Sequence, residues 1–247
     1  MNFDNYKRLV IPFGAGLASA AIIYATGAQK SFVVAASIVS GSAGALIINH
    51  REKDENAMSP KLADVSELSA QNIEQATLHF ASGIKYKESE EYLIACQEFD
   101  KAIAINPNEE KFYLHRAISK EVLGEYQEAL IDYAKAVELN PDYANAFNGL
   151  GSVKSSLGDN EAAVRDYTKA ISIDPNYAVA YYNRGYSKAE LGDHSSAIDD
   201  FTKSLEIDPD DPDAYMNRGI SKAELGNNEA AYEDFKKARE LSDESTT

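Results

Sequence analysis

The residues that could carry acid–base or metal chemistry are scattered along this chain, without the spacing that such chemistry needs. The four histidines are His50, His79, His115 and His194, and the single cysteine is Cys96. No histidine stands at metal-ligand spacing from another histidine or from the cysteine. The sequence has no glycine-rich phosphate loop and no nucleophile elbow. It therefore predicts a protein that is not an enzyme, with no catalytic residues, no metal and no cofactor.

The carboxylates of the second half recur at a fixed interval instead of forming one cluster. Four aspartates stand 34 residues apart, namely Asp132, Asp166, Asp200 and Asp234. A residue that returns with a structural repeat is typical of a solvated or helix-pairing position, so we interpret these aspartates as structural. Cys96 follows Ala95 in a predicted packed helix and is interpreted as a buried, inert thiol.

The charge is unevenly distributed and argues against nucleic acid as a partner. The net charge is −16 at pH 7. Residues 1–55 hold five Lys and Arg against four Asp and Glu, whereas the remainder holds 19 against 36. A surface this acidic repels phosphate backbones. We expect either plain solubility or a preference for basic partners.

Elements that repeat every 34 residues carry most of these side chains. A first column of small residues consists of Gly83, Ala117, Gly151, Gly185 and Gly219. A second consists of Ala95, Ala129, Ala163, Ala197 and Ala231. An aromatic column consists of Phe99, Tyr133, Tyr167, Phe201 and Phe235. A further small column is Ala102, Ala136, Ala170, Ser204 and Ala238, and prolines recur at Pro107, Pro141, Pro175 and Pro209.

These columns predict antiparallel helix pairs. Small residues let two helices approach, the aromatic residue fills the space between pairs, and proline separates one pair from the next. Glycines at the inner turn are Gly124, Gly158, Gly192 and Gly226, and Glu90 takes this place in the first repeat. Glycine there suits a left-handed helix end, so we expect a longer or less well capped turn at Glu90. Asp159, Asp193 and Asn227 are predicted N-caps.

The columns resemble the tetratricopeptide repeat family, over residues 76 to about 245. The predicted fold class is all-α, a solenoid of five helix-turn-helix repeats (76–109, 110–143, 144–177, 178–211 and 212–245) preceded by an N-terminal transmembrane helical hairpin. The family's usual tryptophan is replaced by His79, Tyr113, Phe147, Tyr181 and Tyr215. The resemblance implies a right-handed superhelix that binds protein segments on its concave face. Arg239 ends the column Ile103, Val137, Ile171 and Leu205, and is predicted to cap the array.

If the family geometry holds, twelve residues line the concave face as a peptide-binding groove. They are Phe80, Ile84, Leu114, Ile118, Asn148, Ser152, Tyr182, Asn183, Tyr186, Met216, Asn217 and Ile220. Members of the family that bind chaperones grip a terminal carboxylate with Lys, Arg and Asn. Asn183 and Asn217 resemble that clamp, but Asp213 stands where a cation is needed. We therefore expect an apolar or amphipathic partner segment, with basic residues favoured over acidic ones.

The first fifty residues predict a membrane-embedded helical hairpin. Residues 9–29 and 31–49 contain no charged residue, and each stretch has the length of a bilayer span. Lys7, Arg8, Arg51 and Lys53 flank them, which predicts cytoplasmic termini and Lys30 on the far side. Residues 51–75 are predicted to be a charged linker to the repeat domain, 76–247. Small residues such as Ala36, Ser40 and Gly44 favour close packing, within the hairpin or in a homo-oligomer.

The sequence thus favours an integral-membrane scaffold or adaptor with its repeats on the cytoplasmic, or equivalent stromal, side. Its expected role is to bind proteins and assist assembly, targeting or stabilisation of a membrane complex. Two alternatives stay open: a component of a transport or secretion machine that docks client proteins, and an exported periplasmic repeat protein with a cleaved leader.

Overall fold

The computed structural model describes the backbone of residues 6–12, 20–26, 32–36, 46–48 and 62–244, and the side chains of residues 70–243. Two compact units can be distinguished, Met1–Gln71 and Asn72–Thr247. The boundaries predicted for the domains stay predictions. Among the described residues, no helix combines the length and the apolar character needed to cross a membrane.

The described parts of the first fifty residues are strands, although the sequence predicts helices there. They form an antiparallel sheet in the order β1-β2-β3-β4, with β1 Tyr6–Pro12, β2 Ala20–Thr26, β3 Phe32–Ala36 and β4 Leu46–Ile48. These segments are rich in β-branched residues, and the register pairs Ile23 with Leu9 and with Val34. The remainder of the predicted hairpin, residues 13–19, 27–31, 37–45 and 49, lies outside the described residues, so the hairpin as a whole is not tested.

From residue 62 to residue 244 the chain is an all-α solenoid, as the repeat predicts. The first helices of the five pairs are α1 Leu62–Glu88, α3 Glu110–Val122, α5 Ala144–Ser156, α7 Ala178–Glu190 and α9 Pro212–Glu224. The second helices are α2 Tyr92–Ile105, α4 Tyr126–Leu139, α6 Asn160–Ile173, α8 His194–Ile207 and α10 Asn228–Glu244. Because α1 begins at Leu62, much of the predicted linker 51–75 is helical, and the first helix is longer than its equivalents.

The turns within the pairs have one geometry throughout, which corrects the expectation of a longer first turn. Gly124 has a φ of 77°, and Glu90 reaches the same left-handed region with a φ of 61°. At both turns the residue that follows donates a backbone hydrogen bond to the end of the preceding helix. The Glu125 N–H donates to the Lys120 carbonyl at 2.9 Å, and the Glu91 N–H donates to the Tyr86 carbonyl at 2.8 Å. The first turn is therefore not longer, but it places a side chain where glycine is favoured.

The predicted N-caps are confirmed at the later turns. The Asp159 carboxylate accepts a hydrogen bond from the Ala162 N–H at 3.1 Å, and that of Asp193 accepts one from the Ser196 N–H at 3.1 Å. The Asn227 side chain accepts from Ala230 N–H at 3.4 Å. These caps satisfy backbone donors that a helix start leaves free.

The aromatic column meets the first small column inside four of the five pairs, whereas the sequence predicted that the aromatic residue fills the space between pairs. A Cβ added to Gly151 would lie 2.6 Å from the Tyr167 ring, and one added to Gly219 would lie 2.6 Å from the Phe235 ring. Glycine therefore provides the space for the aromatic ring that fills each of these pairs. At the far end of the chain Arg239 is exposed, whereas Leu205, its equivalent one repeat earlier, is buried.

The first helices form the inner face of the solenoid. Helix α3 contacts α5, α5 contacts α7, and α7 contacts α9, whereas consecutive second helices make no such contacts among the described elements. A stack in which only the first helices touch must curve toward them. We call the surface of α1, α3, α5, α7 and α9 the inner face.

Candidate functional site

Three of the predicted groove residues are exposed apolar side chains, and they lie on α7 and α9. Tyr186, Met216 and Ile220 are 43%, 42% and 45% exposed. All three were predicted groove residues, and we call them the apolar patch. Apolar side chains clustered on a soluble surface usually mark a contact site.

Tyr182, another predicted groove residue, is half-buried and already has partners within the protein. Its ring packs against Phe201, with 5.8 Å between ring centroids, and its hydroxyl accepts a hydrogen bond from the Asn217 amide at 2.9 Å. Burial raises the pKa of the Tyr182 phenol to about 12, with further contributions from Asp213 and Asp211. The carboxylates of Asp211 and Asp213 thus lie close enough to make this end of the inner face acidic.

The polar residues predicted for the groove connect neighbouring inner helices. The Asn183 amide on α7 donates to the Asn148 side-chain carbonyl on α5 at 3.1 Å. The Asn217 amide donates both to Tyr182 and to the Asp213 backbone carbonyl. Because these amides already have partners within the protein, Asn183 and Asn217 do not form the free carboxylate clamp that they resemble in sequence.

The N-terminal end of the inner face is closed by aromatic packing. Phe80 lies 5.0 Å from Phe112 and 5.3 Å from His115, measured between ring centroids. Leu114 is buried, and Phe80, Ile84 and Ile118 are half-buried. Phe80 and Leu114 are therefore mainly core residues, and the exposed apolar members of the predicted groove are those on α7 and α9.

A cavity of about 340 Å³ opens between α3 and α5, near the middle of the inner face. It is lined by Leu114, His115, Ile118, Glu121, Tyr133, Tyr143, Asn145, Asn148, Gly149, Ser152 and Tyr177. Four of these residues, namely Leu114, Ile118, Asn148 and Ser152, belong to the predicted groove. Of the other seven, Tyr133 belongs to an outer helix and Tyr143 and Tyr177 belong to turns, where helix periodicity does not predict the inner face. The remaining four lie on α3 and α5 beside the predicted groove positions, namely His115, Glu121, Asn145 and Gly149.

Glu121 is the carboxylate of this cavity. It accepts hydrogen bonds from the Tyr133 hydroxyl at 2.7 Å and from the Ser152 hydroxyl at 2.5 Å. Burial raises the pKa of the Tyr133 phenol, and the charge of Glu121 raises it further. The only sequence feature that distinguishes Glu121 is that its column otherwise holds Lys87, Ser155 and two alanines.

His115 lies at one side of the cavity and is neutral at physiological pH. Burial, together with the charges of Lys87 and Lys111, lowers its pKa to about 4. The Lys87 ammonium lies 3.2 Å from the His115 Nδ1. A neutral imidazole can accept that hydrogen bond, which fixes the Lys87 side chain at the boundary between α1 and α3.

The recurring aspartates are structural, as interpreted from the sequence. Asp200 pairs with Arg184 at 2.7 Å and with Lys188 at 2.8 Å, and equivalent clusters surround Asp132 and Asp234. Asp166 pairs with Lys154. Among the residues that the structure describes, no group of three His, Cys, Asp or Glu could hold a metal ion. Cys96 is buried, and burial raises the pKa of its thiol.

Comparisons with known proteins agree with this architecture. Profiles of the tetratricopeptide repeat match residues 123–158, 155–192, 178–211 and 212–244. No curated protein sequence matches the chain. A crystal structure of MamA protein is 26% identical, with a TM-score of 0.60, and the match covers 70% of this chain and 94% of that one.

Two further solved structures share the fold at lower identity. MamA 41-end from Desulfovibrio magneticus RS-1 is 20% identical with a TM-score of 0.63, and the match covers 70% of this chain and 98% of that one. YrrB, described as a TPR protein with an unusual peptide-binding site, is 24% identical with a TM-score of 0.56, over 71% of this chain and 91% of that one. The helical repeats of this chain therefore belong to the tetratricopeptide repeat family, whose fold generally serves as a protein-interaction scaffold.

Proposed function

We propose that this protein is a scaffold that binds a segment of a partner protein on its inner face. The observation that carries the proposal is the apolar patch of Tyr186, Met216 and Ile220, whose side chains are exposed on the neighbouring helices α7 and α9. The likeness to YrrB, which is described as a TPR protein with an unusual peptide-binding site, supports this use of the fold. Tyrosine and methionine suit such a surface because they bury large areas and adapt to a partner.

The surroundings of the patch favour an apolar or amphipathic segment over an acidic one. Asp211 and Asp213 raise the pKa of Tyr182 and therefore act at this end of the inner face. The nearby cations Arg184 and Arg218 are already paired with Asp200 and Asp234. A partner carboxylate would meet repulsion there without a compensating cation. This is the partner chemistry expected from the sequence, with a smaller set of contact residues.

We further propose that residues 9–49 attach the scaffold to a membrane, with the repeats on the cytoplasmic side. Two uncharged apolar stretches with basic flanks support this. In lipid, a helical hairpin satisfies its own backbone hydrogen bonds, whereas the open strands β1 and β4 would leave edge groups unpaired. Its role would be to recruit proteins during assembly, targeting or stabilisation of a membrane complex. A reporter fused after Asn56 that is active only outside the cytoplasm would refute this orientation.

The binding proposal can be tested with the full chain in mild detergent. We expect the variant Tyr186→Ala, Met216→Ala, Ile220→Ala to lose most of the proteins that the wild type captures from its native membranes. The matched control is Leu93→Ala, Ile131→Ala, Tyr232→Ala, three exposed apolar residues of the outer helices. Circular dichroism establishes that both variants stay folded. If the two variants lose the same proteins, or neither loses any, the inner face is not the binding surface.

A further inference from the structure

Glu121 differs from the other carboxylates that are enclosed between helices. Asp132, Asp200 and Asp234 each lie between an arginine and a lysine. Both hydrogen bonds that the structure gives to Glu121 come from neutral hydroxyls, those of Tyr133 and Ser152. No cation pairs with it among the residues whose side chains are described. Its charge is therefore uncompensated, and each carboxylate oxygen keeps acceptor capacity for a further donor.

The cavity around Glu121 has the walls that a cationic side chain needs. Tyr133, Tyr143 and Tyr177 contribute aromatic rings, while Asn145 and Asn148 contribute amide groups. Aromatic faces attract ammonium and guanidinium groups, and a carboxylate at the base supplies the counter-charge. The volume of about 340 Å³ is sufficient for one long side chain. The cavity is also open to the inner face, where the partner segment would lie.

The lysines near the cavity do not already neutralise Glu121. The Lys87 ammonium is held by His115 at 3.2 Å, and the Lys111 ammonium lies 4.0 Å from the Glu109 carboxylate. Glu110 and Glu109 raise the pKa of Tyr143, after burial as the main cause, so both carboxylates lie near the Tyr143 wall of the cavity. A cation that enters on that side is attracted by these carboxylates and by Glu121.

We propose that this cavity receives a lysine or arginine side chain of the bound segment, with the Glu121 carboxylate as its partner. The inference rests on the proposed binding function and adds to it a specificity pocket. The bound segment would place apolar residues on the patch of α7 and α9 and a basic residue two inner helices earlier, between α3 and α5. An acidic or neutral residue at that position would leave Glu121 without a partner and would be disfavoured.

Selection from a phage-displayed library of random peptides on the full chain in mild detergent tests this. Peptides that the wild type retains and the apolar-patch variant loses should share one Lys or Arg. Their synthetic forms, with that residue changed to Gln, should bind about 10-fold more weakly or worse, because a charge-assisted hydrogen bond is lost. Glu121→Gln should cause the same loss; its amide oxygen can still accept from one of the two hydroxyls, and its amide N–H can donate to the oxygen of the other. Glu128→Gln, an equal charge change at an exposed outer position, should not.

Charge reversal gives the sharpest outcome. Glu121→Lys should retain peptides in which the shared basic residue is replaced by Glu or Asp. If patch-dependent peptides share no basic residue, or bind Glu121→Gln as tightly as the wild type, the pocket is refuted while the binding function stands. If the wild type retains no peptide that the patch variant loses, both proposals are refuted.

Discussion

The Tyr133 ring lies against the backbone of Gly149, which belongs to the following repeat. In the other repeats the corresponding ring packs on the glycine of its own pair, as Tyr167 does on Gly151. The second repeat has Ala117 at that place, and a Cβ added to Gly149 would overlap with the Tyr133 ring. This contact lets the Tyr133 hydroxyl reach both Glu121 and the cavity.

Gly149→Ala should therefore destabilise the solenoid, although alanine is the better helix former. Overpacking a core typically costs about 1–3 kcal/mol, and the gain in helix propensity is about 1 kcal/mol. We expect a net loss of up to about 2 kcal/mol in the free energy of unfolding, measured by urea denaturation. Ser156→Ala, at an exposed position of the same helix, is the control and should change little. An unchanged midpoint for Gly149→Ala would contradict the close packing of Tyr133.

Glu90→Gly should stabilise the first repeat. Glu90 has a φ of 61°, a conformation that costs a non-glycine residue about 1–2 kcal/mol. Part of this gain is lost because glycine is more flexible when unfolded, so we expect about 0.5–1 kcal/mol. Glu88→Gly, in the last turn of α1, should instead lower stability, since it lacks the left-handed backbone. Thermal unfolding of the two variants should shift in opposite directions, and equal shifts would argue against strain at Glu90.

Asp200→Ala should be among the most damaging single changes on the second helices. It would leave Arg184 and Lys188 facing each other without their shared carboxylate. Removing one partner of a buried ion pair costs about 3–5 kcal/mol. Asp199→Ala, the exposed neighbour on α8, should change the free energy of unfolding by less than about 0.5 kcal/mol. Similar losses for the two variants would mean that the Asp200 cluster is not a structural unit.

His115 should make stability depend on pH in a window above its own pKa. The pKa of His115 is about 4 in the folded protein, below its value of about 6.5 in an unfolded chain. Between these values the unfolded state binds more protons, so the free energy of unfolding falls as pH is lowered through the window. His115→Gln should flatten this dependence in urea denaturation series. An equally steep dependence in that variant would assign the effect to other groups.

Arg239→Leu should promote self-association of the chain. Arg239 is exposed at the end of the array, in the column where Leu205 is buried against the next repeat. Leucine there would present an apolar surface at the open end of the solenoid. Glu240→Leu adds the same side chain on an exposed neighbouring position and serves as the control. Light scattering should show a larger mass only for Arg239→Leu, and equal masses would contradict the capping role.

The periodic part of this molecule could be predicted from the sequence, because each helix pair is specified by residues close in the chain. The small columns, the aromatic column and the prolines predicted the helix pairs, and Asp159 and Asp193 predicted their own caps. These features depend on local backbone geometry and on contacts within one pair, which recur identically in every repeat. The paired aspartates follow from the same recurrence.

The contacts of the groove residues could not be predicted in the same way, because the residues involved differ from one repeat to the next. The sequence placed Tyr182, Asn183 and Asn217 on the inner face but could not show that they hydrogen-bond to neighbouring inner helices.

Similarly, the cavity is lined by Tyr133 and Gly149 from neighbouring repeats, and the hydrogen bond from the Tyr133 hydroxyl to Glu121 could not be predicted from the columns. The sequence by itself thus determined the fold and the face on which binding is proposed. Only the tertiary structure decided which inner side chains are free, because that depends on the distance between helices 34 residues apart.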